Sequence, residues 1–143
     1  MGGVVCPMSY VCHHVEDKTQ VLVIDDEPSV ADALRIILED QRFGVVVAHT
    51  GREGIERAFR ASFGVIITDL RLPDIDGLEV IGALREHGAR GPVILITSHG
   101  TPEIFAGARE RGAYGIITKP FLPSDIIRLI TDALGERRGP DAS

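Results

Sequence analysis

Four short apolar runs in this chain end on residues able to do chemistry. Val21-Leu22-Val23-Ile24 leads into Asp25-Asp26-Glu27, Val65-Ile66-Ile67 into Asp69, Val93-Ile94-Leu95-Ile96 into Thr97-Ser98, and Tyr114-Gly115-Ile116-Ile117 into Lys119-Pro120. Brought to one place, these ends would assemble several carboxylates, a hydroxyl and an ammonium. Crowded carboxylates repel, so one must take up a proton or a cation must neutralise the group. Oxygen donors with no His or Cys among them favour Mg²⁺ or Mn²⁺ over zinc. Singly, each residue has an ordinary explanation: acids at strand ends cap helices or satisfy turns, and a lysine before a proline is unremarkable. Their joint placement at successive run ends is what points to a site, and it needs a fold that brings those ends together.

The rest of the chain supplies one. Pro28 suits a first helical turn, and Val30, Ala33, Leu34, Ile37 and Leu38 follow the spacing of a single helical face. Gly44 ends that unit and Val45-Val46-Val47 reads as a second strand. Thr50-Gly51-Arg52-Glu53 fits a capping box opening a helix that buries Ile55, Ala58 and Phe59. A turn through Leu72-Pro73-Asp74-Ile75-Asp76-Gly77 precedes a helix with Leu78, Ile81, Leu84 and Arg85 on one face. Thr101-Pro102 starts a helix that stops at Gly112, and Ile126, Ile127, Ile130, Ala133 and Leu134 line the last one. Strict alternation of strand and helix predicts an α/β fold, a doubly wound parallel sheet with right-handed crossovers. In such sheets ligands bind outside the carboxyl ends of the strands, where the chemistry-bearing residues fall.

Composition narrows the possibilities. A chain of 143 residues with 44% hydrophobic and 25% charged residues is one ordinary globular domain. Its net charge of −6 argues against nucleic acid as a direct partner, and Arg137-Arg138 is the one dense basic cluster. The apolar runs fall far short of the roughly 20 residues that cross a bilayer. Met1-Gly2-Gly3-Val4-Val5-Cys6 has neither a secretory signal's basic and apolar regions nor the myristoylation pattern, so a cytoplasmic location is expected. Cys6, Cys12, His13 and His14 match no zinc spacing. Residues 1–19 are therefore expected to be a mobile tail, 20–134 the domain, and 135–143 a second tail too short for an output module.

Over residues 20–134 the sequence resembles the receiver domain of two-component response regulators. The likeness lies in Val21-Leu22-Val23-Ile24-Asp25-Asp26-Glu27-Pro28, in Thr68-Asp69-Leu70-Arg71-Leu72-Pro73-Asp74-Ile75-Asp76-Gly77, in Pro92 to Thr97, and in Gly112-Ala113-Tyr114 running to Thr118-Lys119-Pro120-Phe121. The resemblance implies a CheY-like, flavodoxin-like sheet of five strands in the order 2-1-3-4-5. It implies that Asp69 accepts a phosphoryl group from a sensor histidine kinase or a phosphotransfer protein. Asp26, Asp69 and the backbone carbonyl of Arg71 would then hold Mg²⁺, with Asp25 acting through water. Lys119 and Thr97 would stabilise the phosphoryl group, and the face of helix 4, strand 5 and helix 5 would switch. That face would bind a downstream protein, an output domain of the same chain, or a second copy. Such a domain assists its own modification and turns over no substrate.

Departures from the family pattern are informative. The aromatic usual three residues before the lysine is replaced by Ile116, and Tyr114 should share its strand face. Arg71 and His99, each two residues past a key position, are expected to modulate hydrolysis of the phosphoaspartate. A haloacid dehalogenase phosphatase would carry a general acid where Arg71 stands. A nucleotide site would need a Gly-x-Gly-x-x-Gly turn or a P-loop after the first strand, where Asp-Asp-Glu-Pro lies instead. A degenerate receiver acting only as a scaffold would not be expected to keep Asp26, Asp69, Thr97 and Lys119.

Overall fold

Buried β-branched runs form the strands, and glycines, prolines and capping residues separate them from the helices. In the computed structural model, which describes residues 18–137, the elements alternate strictly. They are β1 (Gln20–Ile24), α1 (Pro28–Asp40), β2 (Gly44–Ala48), α2 (Gly51–Arg60), β3 (Val65–Asp69), α3 (Gly77–Glu86), β4 (Val93–Thr97), α4 (Pro102–Glu110), β5 (Gly115–Thr118) and α5 (Pro123–Arg137). Helix α5 runs past Leu134, and most of both expected tails, including Cys6, Cys12, His13 and His14, lies outside the described residues.

The strands form one parallel sheet in the order β2-β1-β3-β4-β5, as the resemblance implies. Register aligns the carboxyl ends: Ile24 lies opposite Ala48 and Thr68, Asp69 opposite Ile96, and Thr97 opposite Thr118. Alternate strand residues feed two cores. Leu22, Ile24, Ile66 and Leu95 pack with Val80, Ile81 and Leu84 on the side of α2, α3 and α4. Val21, Val23, Ile67, Ile94 and Ile96 pack with Leu34, Leu38, Ile126 and Ile130 on the side of α1 and α5. Among the described residues no helix is long and apolar enough to cross a membrane.

Several local expectations need correction. In α1 the buried residues are Ala31, Leu34 and Leu38, while Ala33 is exposed beyond the flank of that stripe. In α2 Phe59 is 46% exposed, and Gly51 and Gly54 occupy the buried positions. The side chain of Ile24 fills the space that a Cβ at Gly54 would take. Val80 joins Ile81 and Leu84 in the α3 core, and Arg85 instead donates to the carbonyls of Ala89 (3.3 Å) and Gly91 (2.8 Å). Strand β5 begins one residue later than expected, after Tyr114, whose N–H donates to the Val93 carbonyl at 2.8 Å.

The caps fix where each helix enters. Thr50 Oγ1 accepts from the Glu53 N–H at 3.0 Å, but Glu53 reaches back to the His49 N–H, so that capping box is not closed. The reciprocal box is at α3: Asp76 accepts from the Glu79 N–H (2.8 Å) and Glu79 from the Asp76 N–H (3.1 Å). Gly77, the first residue of α3, donates to the Leu70 carbonyl at 2.8 Å. A Cβ there would collide with the Asp69 carbonyl oxygen and come within 2.9 Å of Leu95 Cδ1. Because the first of these neighbours is backbone, Gly77→Ala should cost about 1–3 kcal/mol of stability, the usual range for overpacking. Urea unfolding measures this, and a wild-type midpoint would refute it.

Candidate functional site

Parallel strands about 4.8 Å apart deliver their last residues to one rim. Asp25 follows β1, Asp69 closes β3, Thr97 closes β4, and Lys119 follows β5. Carboxylate oxygens of Asp25, Asp26 and Asp69 lie within 4.8 Å of one another. Asp25 and Asp69 are buried and Asp26 is exposed, so the cluster opens to solvent on one side. Lys119 Nζ stands 3.2 Å from Asp69 Oδ1 and 3.8 Å from Glu27 Oε1. The Lys119–Pro120 peptide bond is cis.

Backbone groups hold these side chains in place. Asp25 accepts the Glu27 N–H on Oδ1 at 2.9 Å and gives its own N–H to the Ala48 carbonyl at 3.0 Å. The Lys119 N–H donates to the Thr97 carbonyl at 2.8 Å, tying β5 to β4 at the rim. Thr97 is 2% exposed, and its Oγ1 accepts the His99 N–H at 2.9 Å.

One ammonium does not neutralise three carboxylates, and at Asp25 and Asp69 burial adds to the cost of ionisation. Burial pushes the Asp25 carboxyl up to about 6; the Glu27 N–H and Lys119 pull it down, and the charges of Asp69 and Asp26 push it further up. Burial also raises Asp69, against the opposing pull of Lys119. A group of hard oxygen donors whose ionisation is resisted in this way fits a divalent cation. The expected convergence of Asp25, Asp26, Asp69, Thr97 and Lys119 is therefore realised in the geometry.

The remaining sequence candidates stand around this cluster. Arg71 and His99 are exposed on the loops after β3 and β4. Ile116 packs against the core on the α4 side, and it lines one cavity of about 170 Å³ with Tyr114, Phe105 and Arg109. Tyr114 and Ile116 thus share a face. Two further residues gain partners that spacing alone does not reveal. Glu27 approaches Lys119, and Asp74 accepts the N–H groups of Gly51 and Arg52. Glu27 stands in the acidic run itself, whereas Asp74 reads as an ordinary turn residue.

Residues 21–131 match the family model described as the response regulator receiver domain. The chain belongs to that family. Receiver domains are phosphoacceptor modules of two-component signalling that take a phosphoryl group on an aspartate, and they are not classical enzymes. They generally bind a divalent metal, and the acidic cluster provides for one here. The receiver is 37% identical over 121 residues to the C4-dicarboxylate transport transcriptional regulatory protein DctD of Pseudomonas aeruginosa, covering 85% of this chain and 26% of DctD. Among solved structures it matches the chemotaxis protein CheY4 of Vibrio cholerae with a TM-score of 0.77 at 30% identity, covering 81% of this chain and 98% of that one. It also matches the beryllofluoride-activated NtrC4 receiver domain dimer, with a TM-score of 0.77 at 35% identity, covering 82% of this chain and 97% of that one. The chain spans between a quarter and about half the length of the curated relatives it matches.

The raised Asp25 carboxyl has a consequence for stability. A folded-state value of about 6 against an ordinary 3.8 means that the folded chain holds this proton more tightly than the unfolded chain does. The resulting penalty is absent below about pH 4 and complete above about pH 6. Asp25→Asn should therefore stabilise the metal-free receiver at pH 7.5 by about 1–2 kcal/mol after allowance for solvent screening, with the gain fading toward pH 4. Urea unfolding in a chelator at both pH values checks this; equal stability of variant and wild type at pH 7.5 would contradict it.

Proposed function

We propose that Asp69 is the phosphoacceptor, within a receiver unit of residues 20–134. The observation that carries this is the placement of the buried Asp69 carboxylate 3.2 Å from Lys119 and within 4.8 Å of Asp25 and Asp26. A carboxylate oxygen of Asp69 attacks the phosphorus of a phosphohistidine on a sensor kinase or phosphotransfer protein. The P–O bond forms as the P–N bond breaks, and the released imidazole takes a proton from solvent. Asp26, Asp69 and the Arg71 carbonyl would hold Mg²⁺, with Asp25 acting through water; Mn²⁺ suits the same donors. Bound there, the cation offsets charge on the phosphoryl group in transit. Lys119 keeps a compact positive charge against a phosphoryl oxygen. The domain supplies position and electrostatics to its own phosphorylation and dephosphorylation, and turns over no substrate.

Phosphorylation adds close to two negative charges and new acceptor oxygens. Thr97 then gives its hydroxyl to the phosphoryl group, and the face of α4, β5 and α5 changes its binding. Arg71 and His99, exposed beside the pocket, modulate the approach of water to the phosphoaspartate. We place the domain in the cytoplasm, where its kinase, a downstream protein or an output domain can reach it. Self-association is supported by the beryllofluoride-activated NtrC4 receiver domain, which is a dimer, and we assign it to the switching face.

Acetyl phosphate with Mg²⁺ should add one phosphate to the wild-type chain and none to Asp69→Asn, as read by intact-protein mass spectrometry; an adduct on the variant would sink the assignment. Tyr114, which shares a face with Ile116, is proposed as the aromatic that couples the pocket to the switching surface. Tyr114→Ala should then accept phosphate at the wild-type rate but lose beryllofluoride-induced association in sedimentation experiments. Undiminished association would exclude that role.

A further inference from the structure

Residues 70–76 join β3 to α3 and include Arg71. Both ends of this loop are closed locally, by the Gly77 N–H on the Leu70 carbonyl and by the Asp76–Glu79 box. Its middle is held from outside. Asp74 Oδ1 accepts the Gly51 N–H at 2.9 Å and Asp74 Oδ2 the Arg52 N–H at 2.9 Å, both from the first turn of α2. Ile75 packs into the space that a side chain at Gly51 would fill, so α2 and the loop approach closely. The first N–H groups of a helix lack partners within it and lie at the positive end of its dipole, which favours a carboxylate there. Burial opposes ionisation of Asp74, but the Arg52 and Gly51 N–H bonds outweigh it and hold the carboxyl below its ordinary range.

Asp74 completes the cap of α2 by taking the Gly51 and Arg52 N–H groups that the local cap leaves over. Helix α2 already has Thr50, which accepts the Glu53 N–H. What Asp74 adds beyond the cap is a link between two elements of the pocket. The start of α2 is separated by two residues from Ala48, whose carbonyl receives the Asp25 N–H at 3.0 Å. Contacts therefore run from Asp25 through Ala48 to Gly51 and Arg52, across to Asp74, and back along the loop to Arg71 and Asp69.

We propose that Asp74 is a positioning residue for the acidic pocket. By tying the loop after β3 to the amino terminus of α2, it holds Asp69 and the Arg71 carbonyl at a fixed spacing from Asp25 and Asp26. This role rests on the pocket being the Mg²⁺-binding phosphoacceptor site proposed above, and the experiment separates the two.

The test titrates the ¹⁵N-labelled full chain with Mg²⁺ alone, following amide chemical shifts, and compares thermal midpoints in chelator. Asp74→Ala should raise the half-saturating Mg²⁺ concentration about tenfold, as loss of an outer support of a metal site does. The isosteric Asp74→Asn, which keeps one acceptor oxygen, should fall between, and it carries the comparison should Asp74→Ala fail to fold. Thr50→Ala removes the local cap of the same helix and should leave Mg²⁺ half-saturation within about twofold of wild type even where its thermal midpoint falls as far. Wild-type affinity in both Asp74 variants, or an equal loss in Thr50→Ala, overturns the role. With Asp26→Ala as reference, loss of its Mg²⁺ response beside wild-type affinity in the Asp74 variants overturns the tether alone. An undiminished response in Asp26→Ala overturns the pocket itself.

Discussion

Three carboxylates held within 4.8 Å of one another, two of them buried, repel whenever they are ionised together. The rest of the fold has to hold them there against that repulsion. Lys119 offsets part of it at 3.2 Å from Asp69, and the Glu27 N–H offsets part more at Asp25. The remainder is an unmet demand for positive charge on the solvent side, beside exposed Asp26. That imbalance gives the rim its chemistry. A fully neutralised cluster would have no call for a cation, and a cluster of freely hydrated acids would bind one only weakly.

The sheet meets the cost of this crowding through packing remote from the charges. The strand residues before the rim, Val21 to Ile24, Val65 to Ile67 and Val93 to Ile96, are all at most 1% exposed. Burying each large apolar side chain contributes about 1.5–3 kcal/mol, so two well-filled cores can sustain an unfavourable rim. Parallel pairing then fixes geometry as well as energy. Because Asp69 lies opposite Ile96 and Thr97 opposite Thr118, side chains at the strand ends cannot drift apart without breaking register. Local strain at a functional edge, supported by a strongly packed interior, is the general arrangement for sites of this kind.

The parts of this that could be read from sequence are those written in local pattern. Each rim residue directly follows a β-branched run, so alternation of strand and helix was enough to bring Asp25, Asp69, Thr97 and Lys119 together. Strand order came from the resemblance, since alternation alone permits several windings. Positions that depend on shape were missed. Periodicity counts apolar side chains, and it cannot see that Gly54 is buried because Ile24 fills its place, nor that Phe59 is thereby left at the surface. Asp74 was missed for a different reason: its partners lie over twenty residues earlier in the chain and, apart from the Arg52 guanidinium at 3.8 Å, are backbone N–H groups, which leave no mark in side-chain pattern.

A different set of hydrogen bonds, around Thr97, suggests how a change at the rim can travel without an aromatic at Ile116. Thr97 Oγ1 accepts the His99 N–H, the His99 carbonyl accepts the Thr101 N–H, and Thr101 Oγ1 accepts the Ile104 N–H that opens α4. Thr97 is therefore the first member of a short chain of contacts ending at a helix cap. On the proposed reading its hydroxyl turns to the phosphoryl group, and the His99 N–H loses its acceptor. A cap of this type contributes about 1 kcal/mol, so disturbing the turn that precedes it can shift the position of α4 without unfolding the domain. The Lys119 N–H is bonded to the Thr97 carbonyl, so on the same proposed reading a displacement of Thr97 would also reach the end of β5. On that reading both routes lead toward the face that Tyr114 and Ile116 share, where a difference of about 1 kcal/mol would change a two-state ratio about fivefold.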